Sequence, residues 1–185
     1  MKKDNWILMS FLLTFVIALL FNAISNITIS KFDNLLILII VAIVFLLIGI
    51  IFDILGTAVL TADESTFHAK SSKKVLGGKE GVYLIKNGSR VSSIFCDVIG
   101  DICGIVSGSV SAIIGLLISV KYNISSVVTI LIVSSIISSL TVGGKAIGKK
   151  IAINNSDEIT FSIAKILNKF KKKWFNNHFY FKKKI

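Results

Sequence analysis

Proline is absent from this chain. No helix in it is broken by a proline ring, so long uninterrupted helices are open to it. Cysteine is scarce. Cys96 and Cys103 lie seven positions apart in one apolar run, and two thiols so placed on one helix are badly positioned to bond each other. They read as small buried hydrophobes and define neither a disulfide scaffold nor a redox compartment. Charge is also short, at 17% of residues against 54% hydrophobic, with a mean hydropathy of +0.82. A soluble domain carries closer to about a quarter charged residues. That excludes an ordinary soluble domain and makes the class an all-α integral membrane protein, one domain in size. Catalytic signatures are missing as well. No Ser/His/Asp or Cys/His set converges, and Gly77-Gly78 has neither the preceding strand nor the Gly-Lys-Ser/Thr ending of a phosphate loop. The chain is therefore not expected to be an enzyme or to use an organic cofactor.

What is present is a series of apolar runs, each close to the roughly 20 residues that cross a bilayer. Trp6 to about Ile24 follows Met1-Lys2-Lys3. It fits a retained helix or a cleavable signal; its length and the helix directly after it favour retention. Residues 26–34 read as a polar turn. Leu35 to Ala62 would measure about 42 Å as a helix against a core of about 30 Å, so it must tilt or project. Residues 63–90 are polar and lysine-rich, with Phe67, Val75, Val82, Leu84 and Ile85 too scattered for a core of their own. They read as two short juxtamembrane helices divided at Gly77-Gly78. A helix from about Arg90 to Val120 follows, and a last membrane helix runs from about Ser125 to Ile147. Ser156-Asp157-Glu158 starts a basic amphipathic helix. Ile159, Ile163, Ile166, Leu167, Phe170 and Trp174 recur along it at helical spacing, with lysines opposite. Four transmembrane helices, two short juxtamembrane helices and a basic amphipathic C-terminal helix are thus expected.

The third run organises the rest. It carries Asp97 and Asp101 one turn apart, and Gly100, Gly104 and Gly108 at four-residue intervals. At about 100° per residue, Asp97, Asp101, Gly104, Gly108, Ser111 and Gly115 share a stripe, with Gly100 at its margin. An aspartate at mid-depth costs roughly 3 kcal/mol on an insertion scale. Small residues at this spacing let another helix come close. The stripe is therefore expected to face protein or a wet cavity. Asp53 and Lys145, also inside apolar runs, are the groups it would meet. Glu64 and His68, four apart, read as a solvated helix face.

Lysine and arginine set the orientation. With the N-terminus inside, the cytoplasmic segments hold 19 and the outer loops only Lys31 and Lys121. A multi-pass protein with both termini cytoplasmic follows. The lysine–aromatic tail fits anionic lipid headgroups better than nucleic acid, because it continues directly from a membrane helix.

Three stretches carry a resemblance. They are Phe52-Asp53-Ile54-Leu55-Gly56-Thr57-Ala58-Val59-Leu60-Thr61-Ala62-Asp63; Gly78 to Asn87 with Val98-Ile99-Gly100-Asp101; and Gly144-Lys145-Ala146-Ile147-Gly148-Lys149-Lys150-Ile151-Ala152. In order and spacing, over about residues 45–153, these resemble the transmembrane domain of the CorB/CorC and cyclin-M (CNNM) magnesium transport family. The resemblance implies residues 1–30 as an additional N-terminal helix and 31–153 as the family-like transmembrane domain, with 63–90 its juxtamembrane segment. Residues 154–185 become the basic tail, too short for the family's cytosolic CBS pair. It further implies a homodimer in the plasma membrane that moves Mg²⁺ or a similar divalent cation. The metal would be held by Asp53, Asp101 and the Gly100 carbonyl. Where the family pattern has serine, asparagine, glutamate and proline, this chain has Asp53, Asp101, Lys145 and Gly148. A lysine ammonium has no lone pair and cannot ligate a cation. Two readings of Asp53, Asp97, Asp101 and Lys145 stay open: a cation site in which Lys145 is a displaceable counter-ion, or a structural salt bridge in a non-transporting scaffold or regulator.

Overall fold

The computed structural model describes residues 3–31 and 34–182, with side chains for 8–27 and 34–170. The expectations that rest on Met1, Lys2 and the side chains of Lys3, Lys31, Trp174 and the tail lysines beyond 170 fall outside the described residues. Every described element is helical. In order they are α1 (Lys3–Lys31), α2 (Leu35–Thr61), α3 (Glu64–Ser72), α4 (Gly78–Lys86), α5 (Gly88–Ser92), a π-helical segment (Ser93–Gly100), α6 (Asp101–Tyr122), α7 (Ser126–Asn154) and α8 (Ser156–Lys182). Four stretches are long and apolar enough to cross a membrane: Leu8–Ile27, Leu35–Thr61, Gly88–Tyr122 and Ser126–Asn154.

The expected turn over residues 26–34 is mostly absent, since α1 continues to Lys31. Asn34 then starts α2, its side chain accepting from the Leu36 amide (3.0 Å), which satisfies one of the orphan donors of a helix start. The third spanning stretch is longer than expected, because α5, the π segment and α6 run on as one helix. It ends at Asn123, whose left-handed φ of 52° closes the last turn.

The register of the bundle follows from who meets whom. Leu38 and Ala42 of α2 pack on Val110 and Ile114 of α6. Phe45 packs on Val98, Ile102, Cys103 and Val106, and Gly56 lies against Ser92, Phe95 and Cys96. Thus α2 and the third span are antiparallel. Antiparallel α7 meets α6 from Gly115–Ile130 at one end to Asp101–Lys145 at the other. Its Gly144 and Gly148 sit on Ile50 and Ile54 of α2. Helix α1 lies outside this three-helix core, with Ile17, Ala18 and Phe21 against the Phe45 cluster.

Residues 63–90 acquire a core that their sequence does not announce. Phe67 is fully buried, lies against Gly81 and meets Phe161 of α8 edge-on, with centroids 6.3 Å apart. Val59, Leu84 and Ala164 form a buried cluster beside it. The missing half is thus α8, nearly a hundred residues away in sequence. Its buried stripe is Thr160 and Ala164, while Ile166 and Phe170 of the expected apolar face stay exposed. The junction is tied by the Asp63 amide donating to Asp157 (2.9 Å).

Candidate functional site

Glycines bring three helices together at one level of the bundle. A methyl built on Gly49 would stand 3.1 Å from the Gly100 carbonyl oxygen, and one on Gly56 would stand 2.5 Å from Cys96 Sγ. Helix α2 therefore approaches the π segment almost backbone to backbone. Asp53, between those two glycines, is carried into the contact and is 3% exposed. Its carbonyl accepts from Cys96 Sγ (3.5 Å). Its carboxylate Oδ2 is buried and has no hydrogen-bond partner. Leaving such an oxygen unsatisfied costs about 1–3 kcal/mol or more.

At the residue after Gly100, Lys145 Nζ donates to Asp101 Oδ1 at 2.7 Å. The lysine side chain is 18% exposed and the aspartate 61%. A methyl at Gly100 would have three near neighbours: the carbonyl oxygens of Phe95 (3.3 Å) and Gly49 (3.4 Å), and Lys145 Nζ (3.7 Å). Two main-chain oxygens and one ammonium thus gather at the end of the π segment. Such segments recur at functional sites, because the wide turn disturbs the regular hydrogen-bond ladder.

Of the four expected charges, the structure joins two. Asp101 and Lys145 are paired. Asp97 is exposed and accepts from Ser93 Oγ on its own helix (2.8 Å). Asp97 lies within the π segment, where a wheel drawn at α-helical pitch does not hold. Asp53 stands apart as the unpartnered group. The glycine stripe splits too. Gly115 is pressed against the Ile130 backbone, with a built methyl 2.7 Å away. Around Gly108 nothing lies within 4 Å, and Gly104 reaches only Thr141, at 3.8 Å. Between α6 and α7 there is instead an open groove of about 440 Å³, with Asp101 and Lys145 at one end.

Elsewhere His68 Nε2 and Glu64 Oε1 are 3.1 Å apart on an exposed face of α3. Among the described residues no three His, Cys, Asp or Glu side chains converge as a metal cluster. Gly49 also shapes the site, and its only signal in the sequence is its place one turn before Asp53 and two before Gly56.

These are the long apolar helices and interior charges of a multi-pass membrane protein. No family model, curated protein or solved structure matches the chain.

Proposed function

We propose that this is a plasma-membrane protein of divalent-cation transport or homeostasis, a reduced relative of the CorB/CorC type acting as a homodimer, with both ends in the cytoplasm. The observation that carries this reading is the buried, unpartnered carboxylate oxygen of Asp53. A chain keeps a costly orphan of this kind where a cation meets it. Mg²⁺ takes oxygen ligands and retains several waters, so a carboxylate with main-chain oxygens and water is a chemically suitable donor set. In this reading Asp101 is the second acid, freed when the ion displaces Lys145. The short helices α3 and α4 lie at the cytoplasmic membrane surface. Helix α8, with Lys165 and Lys169 exposed, faces anionic headgroups.

The already satisfied Asp101–Lys145 pair favours a second reading, a scaffold or regulator whose interior charges only hold helices together. Calorimetry in detergent separates the two. Under the transport reading wild type binds Mg²⁺, and Asp53→Asn and Asp101→Asn each weaken binding at least about tenfold, the worth of one charged contact. If wild type is silent but Asp101→Asn with Lys145→Glu binds, the site is a degraded one. Silence from both leaves the scaffold.

A further inference from the structure

We infer that the groove between α6 and α7 is a binding site for one phospholipid with a zwitterionic, primary-amine headgroup, of the phosphatidylethanolamine type. The groove is lined by Gly104, Gly108, Ile137 and Val142, with Asp101 and Lys145 closing one end. Its rims face outward, since Ile105 is 66% and Val142 69% exposed. In a bilayer they meet lipid.

The ends of the groove match the two ends of a lipid. Lys145 lies one helical turn, about 6 Å, before the Lys149-Lys150 pair of α7, and in this inference that pair marks the headgroup level that a snorkelling Lys145 reaches. From Asp101 to Gly108 the groove runs about 10 Å towards the bilayer centre along α6. Its walls there are glycines and branched aliphatics, suited to the upper part of an acyl chain. A volume of about 440 Å³ is within the range of ligand sites.

Charge selects the headgroup. Lys145 spends one of its three hydrogens on Asp101, and Asp101 keeps a carboxylate that is 61% exposed. At headgroup depth, that exposed carboxylate can accept from a second cation beyond the lysine. A phosphate accepting from Lys145 and a primary ammonium donating to Asp101 complete a closed ring of alternating charges. A trimethylated amine has no hydrogen to donate. An anionic headgroup without an amine sets its phosphate beside Asp101 uncompensated. This inference shares Asp101 and Lys145 with the cation reading but not Asp53, and the EDTA in its test removes the ion, so the two readings fail separately.

The test is native mass spectrometry of the full chain in mild detergent with EDTA, given equal amounts of dioleoyl phosphatidylethanolamine, phosphatidylcholine and phosphatidylglycerol. Wild type should retain the ethanolamine lipid about tenfold over each of the others, the worth of one charged hydrogen bond. Asp101→Asn with Lys145→Met should level the three. Gly108→Leu fills space where a methyl meets nothing within 4 Å; it should cut retention of all three while leaving the ion pair intact. Equal retention by wild type, a preference for phosphatidylglycerol, or a preference that survives the double variant overturns the site. So does a dimer that binds no lipid and that Gly108→Leu dissociates, because the groove then holds a second copy.

Discussion

Gly56 and Gly108 carry the same residue type in opposite surroundings, and a single methyl tells them apart. At Gly56 the added carbon stands 2.5 Å from Cys96 Sγ, 3.0 Å from Phe95 Cβ and 3.1 Å from the Ser92 carbonyl oxygen. Something must move, and two of the three obstacles are fixed to the facing helix. Gly56→Ala should therefore cost about 1–3 kcal/mol through overpacking. Gly108→Ala meets open space and removes a flexible residue from a helix, so it should be neutral or stabilising by roughly 0.5–1 kcal/mol. Denaturant unfolding in a fixed detergent measures both. If the two variants shift the midpoint alike, the close approach of α2 to the π segment is wrong. Asp53 depends on that approach, because the glycines flanking it set how deeply it is buried.

At the scale of elements, α3 offers a pH test. Asp63 caps it, accepting from the Ser65 amide at 3.0 Å and the Ser65 hydroxyl at 2.6 Å. These bonds to Ser65 hold the Asp63 carboxyl below its ordinary 3.8. Its contribution to stability is thus complete above the unfolded value and is lost as pH falls through the lower, folded one. Amide protection in α3, followed by hydrogen exchange, should hold down to about pH 4 and fall below it. In Asp63→Asn, an equally good cap without a titrating group, protection should not follow that fall. The apolar runs were legible, as was a gathering of Lys145 with acids of neighbouring apolar helices, but Asp53, Asp97 and Asp101 were equal candidates and the sequence did not single out Asp101. Other features were not legible. The π segment has no sequence period of its own, so the bond of Asp97 to Ser93 within it was not foreseen. The burial of Phe67 depends on Phe161 and Ala164 arriving from α8, and no local pattern around residue 67 encodes a contact so distant.

For the molecule as a whole, charge placement and helix register make one joint statement. The antiparallel order of α2, the third span and α7 puts α3, α4 and the start of α8 on one side, tied by Asp63 to Asp157. It puts the connection at Lys121-Tyr122-Asn123 on the other side. Residues 63–90 hold six lysines or arginines, and that connection holds one. Positive charge favours the cytoplasm, so the proposed topology puts the α3–α4–α8 cluster there and Lys121 outside. The native thiols interfere little, since Cys103 is buried and Cys96 faces α2. A single added thiol at Lys121→Cys should therefore react with a membrane-impermeant maleimide on intact cells, and one at Lys79→Cys only after permeabilisation. The reverse pattern would invert the whole bundle. It would also move the Asp101–Lys145 end of the groove to the outer leaflet, where both the cation reading and the lipid reading would have to draw on a different supply of ligand. Equal labelling of both sites on intact cells would mean that the four apolar helices do not all span.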